Sequence, residues 1–194
     1  MMKSMEILPI KTQIFRKEDN LLDFILGNLP PNQCEGAILA VTSKILSIAE
    51  GQIVASGRNK SDLIKSEADI DLGEVAYDCR LTVKHGLFIP SAGIDESNSE
   101  SGNYILFPKS PFKSASSLHK KIRSALGLKS FGLLITDSRT LPLRQGVTGV
   151  ALAYWGFKGL KSLIGGKDLF NREIKMTKVN LSLIHISEPT RPLD

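Results

Sequence analysis

Two stretches of the chain are apolar without interruption, residues 36–41 (GAILAV) and 131–135 (FGLLI), and each runs into a polar cluster. Thr42, Ser43 and Lys44 follow the first; Thr136, Asp137, Ser138 and Arg139 follow the second. A short apolar run bounded by turn residues marks a strand covered on both faces. The pattern therefore predicts two buried strands that end in groups able to hydrogen-bond or carry charge. Residues 7–15 alternate and predict a further strand. Residues 18–29 place Leu21, Leu22, Phe24, Ile25 and Leu29 at helical spacing, and Pro30 and Pro31 stop that helix. The charged, weakly patterned segment 57–78 is expected as a short helix followed by a flap-like loop. Strands are expected at 87–89, 104–107 and 147–155, and a loop at 141–146. Ser110 and Pro111 should open a helix, the hydroxyl accepting orphan amides and the proline fitting the first helical position. Ala115, Leu118, Ile122 and Leu126 would form its apolar stripe, with Lys113, Lys120, Lys121 and Arg123 turned to water.

These elements, in this order, predict an α+β domain: mixed β-sheets with flanking helices and a smaller lobe. A chain of 194 residues with 42% hydrophobic content supports one such core. The formal charge of +5 is scattered, and no aromatics interleave with a basic run. That argues against nucleic acid as partner and leaves an anionic small molecule, such as a nucleotide, as the better match. Cys34 and Cys79 lie far apart in no metal-ligand spacing, so a buried, reduced pair and a cytoplasmic location are expected. No apolar run approaches the roughly 20 residues of a membrane span, so no membrane role is expected.

Chemistry concentrates at three places. Ser43 and Lys44 form one; Asp95, Glu96 and Asn98, in the segment SAGIDESN at residues 91–98, form another; Asp137, Ser138 and Arg139, with Arg144 close behind, form the third. Magnesium or manganese takes one or two carboxylates, tolerates a hydroxyl and completes its octahedron with water and phosphate oxygens, while basic side chains neutralise remaining phosphate charge. An isolated acid after a strand is more often a turn former or helix cap than a metal ligand, because Asp and Asn hydrogen-bond their own backbone. His85 and His119 have no Cys or His partners nearby and are read as structural or exposed. The standard P-loop, dinucleotide, serine-hydrolase and zinc-protease motifs are absent.

The segments SKILSIAEGQIV, HGLFIPSAGIDESN, LFPKSPFKSA, LLITDSRTLPLRQGVTGVALAYWG and GGKDLFNREIKMTKV, in that order, resemble the coenzyme F-420-0:gamma-glutamyl ligase family from about residue 7 to residue 180. The resemblance implies a gamma-glutamyl ligase-like fold, a homodimer, and a reaction in which GTP and Mg2+ or Mn2+ serve to join L-glutamate in amide linkage to a deazaflavin precursor through an acyl phosphate. It implies a metal-binding, catalytic role for Asp95 and for Asp137, with Ser138 supplying a hydroxyl to the metals. Arg144 is expected in the catalytic set. Ser43, Lys44, Asn98 and the segment around Pro9 and Ile10 are expected to contact the nucleotide. Ile48 stands where the family commonly has a nucleotide-contacting lysine. The family pattern Asp-Thr-Phe-Gly-Arg-Pro-Trp-Arg is here Asp137-Ser138-Arg139-Thr140-Leu141-Pro142-Leu143-Arg144, and Val147 and Gly149 replace glutamine and aspartate. With the aromatics gone, a folate-like acceptor, or a non-catalytic nucleotide- or cofactor-binding relative, stands as the alternative to the deazaflavin reading.

Residues 181–191, LSLIHISEPTR, resemble the translation of a transposon adapter used in preparing sequencing libraries, although their alternation also fits a strand. The expectation is a domain over residues 1–180, incomplete at its C-terminus and short of a nucleotide-contacting segment, with residues 181–194 as a non-native tail in which His185 and Glu188 carry no role.

Overall fold

The computed structural model describes residues 6–75, 79–97, 99, 102–140 and 145–182. In chain order these form α1 (Leu21–Asn28), β1 (Ile38–Thr42), α2 (Ser43–Ala49), β2 (Ile53–Val54), α3 (Lys60–Glu67), β3 (Ile70–Val75), β4 (Cys79–Lys84), β5 (Leu87–Pro90), β6 (Tyr104–Ile105), α4 (Pro111–Ala125), β7 (Gly132–Thr140), β8 (Val147–Trp155), β9 (Leu160–Ser162) and β10 (Lys178–Asn180). The central sheet has the order β1-β7-β8, with β1 parallel and β8 antiparallel to β7. A separate antiparallel sheet has the order β3-β4-β5, and β2 with β6 and β9 with β10 make two small antiparallel pairs. The architecture is α+β with mixed sheets, as the pattern of elements predicts.

The helix α4 shows how sequence builds this core. Proline at its first turn pre-sets the backbone, and Ala115, Leu118 and Ile122 fall on one face by their three- and four-residue spacing. That face is buried in one cluster with Phe131, Leu133 and Ile135 of the β7 run and Leu152 and Ala153 of β8. Ile122 is fully buried; removing it from water contributes about 1.5–3 kcal/mol. His119 joins this face, buried beside Phe131, and its Nε2–H donates to the Phe131 carbonyl at 3.0 Å, a packing role. A second, smaller cluster gathers Leu63 and Ile64 of α3 with Ala92, Ile94 and Leu106. It clamps the chain that follows β5.

Several expectations change. Residues 7–15 form no strand: Ile7, Leu8 and Ile10 are exposed and pair with no other segment among the described residues, while Phe15 alone is buried against Phe24. β1 is an edge strand with only Val41 fully buried; Ile38 and Ala40 point outward and are apolar, which masked the alternation. The helix expected within 57–78 is α3, but the expected loop is instead strand β3, exposed on both faces and bound through β4 by a forked Arg80–Asp71 pair at 2.6 and 3.2 Å. Ser110 stands at the N-cap without a side-chain hydrogen bond, so proline and the apolar stripe carry that boundary. Cys34 is buried and Cys79 half-buried, both free thiols, so the pair is not uniformly buried. No helix among the described residues is long and apolar enough to cross a membrane. Of the segment read as a tail, Leu181 and Ser182 hydrogen-bond the Gly159 carbonyl through their amides at 2.8 and 3.2 Å, and residues 183–194 lie outside the described residues.

Candidate functional site

Parallel pairing brings the first and third chemical clusters together. Thr42 is the register partner of Thr136, so β1 and β7 reach the same end of the sheet in step. The next residues then meet: the Ser43 hydroxyl donates to Asp137 Oδ2 at 2.8 Å. Thr42 ends β1 and caps α2, its Oγ1 accepting the Lys44 amide at 3.3 Å, so the chain turns into helix just where Lys44 leaves it. Lys44 Nζ lies 2.6 Å from Asp95 Oδ2 and donates to the Ser97 carbonyl and hydroxyl at 3.2 and 3.1 Å. One dipeptide, Ser43–Lys44, thereby ties together two acids from distant parts of the sequence.

Asp95 is delivered by an unusual turn. Ser91, Ala92 and Gly93 follow β5 with φ of 51°, 53° and 72°, three successive residues in the left-handed region. Two of them carry a Cβ, each at a cost of about 1–2 kcal/mol. Glycine is required at the third, because a Cβ there would meet Phe107 Cδ2 at 2.4 Å. The turn is held by Thr82 of β4, fully buried: its hydroxyl donates to the Ile89 carbonyl at 2.5 Å and accepts the Ala92 amide at 2.8 Å. Beyond the turn the backbone of Asp95 exchanges two hydrogen bonds with Ile105, at 2.9 and 2.8 Å. The segment SAGID is thus fixed at both ends before its carboxylate reaches the site.

Burial pushes the Asp95 carboxyl upward, but hydrogen bonds from Lys44 and Ser97 outweigh it and hold the group below the usual carboxylate range. Its Oδ1 accepts the Ser97 amide at 2.7 Å. Glu96, the adjacent acid, pairs instead with Lys60 of α3. Asp137 Oδ1 accepts the Ser138 amide at 2.7 Å.

The sequence suggested that Asp137 to Arg139 lie beyond the end of a strand. In the structure β7 continues through them to Thr140, because β8 extends far enough to pair with each. A register shift between Ile135 and Thr136, partnered by Ala153 and Ala151, leaves Leu152 as an extra residue on β8. Past this bulge Asp137 and Arg139 are half-buried while Ser138 and Thr140 are exposed, the alternation of a strand with one covered face.

Ser43, Lys44, Asp95, Asp137, Ser138 and Arg139 all line one cavity of about 220 Å³. Pro9 and Ile10 lie on the exposed N-terminal segment and are not among its lining residues. Asn98 and Arg144 lie outside the described residues. Ser138 is exposed at the cavity, and its amide, not its hydroxyl, meets Asp137. Sequence reasoning missed two supports. Ser47 lines the cavity one turn after Ser43, almost fully buried, and helical spacing could have found it. Thr82 carries no sequence signal beyond being a β-branched residue in the middle of CRLTVK.

Among the described residues no three His, Cys, Asp or Glu side chains converge. Two carboxylates, Asp95 and Asp137, do share the cavity, with the Ser43 hydroxyl between β1 and β7. An all-oxygen set with two acids fits a hard divalent cation that completes its shell with water and phosphate oxygens, and it does not fit zinc, which favours nitrogen and sulfur ligands.

The profile of the family described as F420-0:Gamma-glutamyl ligase matches residues 59–182. A coenzyme F420:L-glutamate ligase of Methanopyrus kandleri is 31% identical over 195 aligned positions, covering 91% of this chain and 75% of that protein. A coenzyme F420:L-glutamate ligase of Methanocaldococcus jannaschii is 28% identical, covering 93% of this chain and 78% of its own. Another, of Methanococcus maripaludis strain C7, is 43% identical over 99 positions, covering 51% of this chain and 39% of its own length.

Proposed function

This chain belongs to the F420-0:Gamma-glutamyl ligase family, a family of amide-bond-forming ligases, and from that premise we propose that it adds L-glutamate to a carboxylate of an F420-type acceptor, consuming GTP with magnesium or manganese bound. The observation that carries the residue-level reading is the Ser43–Lys44 dipeptide, which holds Asp137 through one residue and Asp95 through the next.

In the proposed reaction the terminal phosphoryl group of GTP passes to an acceptor carboxylate oxygen, breaking the phosphoanhydride bond and giving an acyl phosphate and GDP. The amine of glutamate, its proton lost to solvent, then forms the amide bond, and inorganic phosphate leaves. Asp95 and Asp137 would hold the cation, which when bound would screen phosphate oxygens from an incoming carboxylate. Ser43 fixes the rotamer of Asp137 by donating to Oδ2. Lys44 keeps Asp95 ionised, its three donors taken up by the Asp95 carboxylate and by the carbonyl and hydroxyl of Ser97. The locked SAGID turn keeps Asp95 from drifting away from Asp137, which matters because misplacing a reacting group by about 1 Å costs on the order of a hundredfold in rate.

The test is phosphate release from GTP in the presence of manganese, an F420-0 acceptor and glutamate. The proposal expects release that requires the metal and rises on adding glutamate. Release indifferent to glutamate and acceptor would overturn it.

A further inference from the structure

Among the described residues that line this cavity, Arg139 carries a buried side-chain donor with no acceptor. It lies on β7 two residues beyond Asp137, on the same half-buried face, and it lines the cavity. Its Nε is buried and has no hydrogen-bond partner among the described residues. No carboxylate among those residues pairs with its guanidinium, whereas Lys44 is engaged by Asp95. A guanidinium offers five N–H donors in a fixed fork, and burying one of them without an acceptor is unfavourable unless an acceptor arrives. The fork matches the paired oxygens of a carboxylate or a phosphate, and it does not match an apolar or cationic group. The cavity has space for such a guest, with a volume of about 220 Å³.

We infer that Arg139 is the anion-receiving side chain of the cavity, binding an oxyanion of an incoming substrate, either a nucleotide phosphate or a carboxylate of glutamate. This rests on the ligase reading for the identity of the two sources and on the structure for the oxyanion chemistry. Asp137 and Arg139 then divide the covered face of β7 between them. The acid faces the cation and the guanidinium faces the anion, so the bulge at Ile135 and Thr136 aims both.

The experiment is calorimetric titration of the full chain and of Arg139→Met, Arg139→Lys and Arg139→Gln with three probes: GTP with magnesium, L-glutamate, and inorganic phosphate. Arg139→Met should weaken one of the first two by about ten- to a hundredfold, as expected for a lost charge-assisted hydrogen bond. Arg139→Lys should fall between, because it keeps the charge and loses the fork. Loss confined to GTP identifies the phosphate source, and loss confined to glutamate identifies the carboxylate. Thermal unfolding of Arg139→Met should match or exceed the parent, since the side chain makes no hydrogen bond or ion pair within the described fold and its buried Nε goes unpaired; if that variant does not fold, Arg139→Gln decides the same comparison. Equal affinities for every probe in parent and variants would overturn the inference while leaving the ligase reading standing. Phosphate binding that depends on Arg139, without binding of GTP or glutamate, would support the inference and count against the ligase reading. A parent chain that binds none of the three probes would overturn it.

Discussion

Replacing Thr82 by valine tests whether a buried hydroxyl that does not itself line the cavity sets the position of Asp95. The two side chains have nearly the same shape, so the substitution removes little more than Oγ1. That atom makes two hydrogen bonds, to the Ile89 carbonyl at 2.5 Å and from the Ala92 amide at 2.8 Å, and the residue is 0% exposed. Water cannot replace it without a rearrangement. Leaving a buried polar group unpaired costs about 1–3 kcal/mol, so two such groups predict a loss of about 2–6 kcal/mol. For a chain of this size each kcal/mol lowers the melting temperature by about 2–4 °C, giving a fall of roughly 4–24 °C. The left-handed strain at Ser91 and Ala92 would no longer be opposed, and the turn should relax, carrying Asp95 away from Lys44. Thr82→Ser is the control: it keeps both hydrogen bonds and loses one methyl, at about 1 kcal/mol. Thermal and urea unfolding of both variants supply the readout, with an unchanged urea m-value showing that the unfolded reference is the same. A Thr82→Val protein within about 1 kcal/mol of the parent, or a Thr82→Ser protein destabilised as much as the valine variant, would refute the reasoning.

Three further outcomes follow from the same geometry. Gly93→Ala should be destabilised by about 2–5 kcal/mol in urea unfolding, from left-handed strain plus the clash with Phe107. Asp137→Asn should lower metal-dependent phosphate release by at least about tenfold more than it raises the Kd for GTP, because it removes a ligand charge and leaves other nucleotide contacts in place; equal losses would contradict the assigned role. The fold lowers the Asp95 pKa below its unfolded value of about 3.9, so the pair with Lys44 contributes stability that is fully present above that pH and is lost as pH falls through the lowered folded value. With the Asp95 side chain 40% exposed the contribution is about 1 kcal/mol or less, and Asp95→Asn should remove that part of the acid dependence of urea unfolding.

What the sequence disclosed depends on how local each cause is. The run at 131–135 and the stripe on α4 were legible because their burial follows from spacing alone, and the polar residues after 41 and 135 marked where chemistry gathers. The meeting of Ser43 with Asp137 was not legible, because it requires knowing that β1 and β7 pair in parallel and in step. β3 was hidden for another reason: with acids and exposed apolar residues on both faces, its strand character comes from the partner β4 and the Arg80–Asp71 fork, not from alternation. Ser110 misled in detail, since proline and the apolar stripe mark the start of α4 without a hydroxyl cap. Thr82 shows the limit most clearly: its contribution comes from two backbone groups, one in β5 and one in the turn after it, and nothing in CRLTVK indicates them.

The central claim is glutamyl transfer itself, and mass spectrometry of the acceptor tests it most directly. The chain would be incubated with coenzyme F420-0, GTP, manganese and L-glutamate, alongside reactions lacking one component and one containing Asp137→Asn. The account predicts an acceptor heavier by one glutamyl residue only in the complete reaction, with the aspartate variant giving a small fraction of it. Unmodified acceptor in the complete reaction, alongside tight binding of GTP and acceptor, would contradict the ligase reading and make this cavity a binding site without turnover.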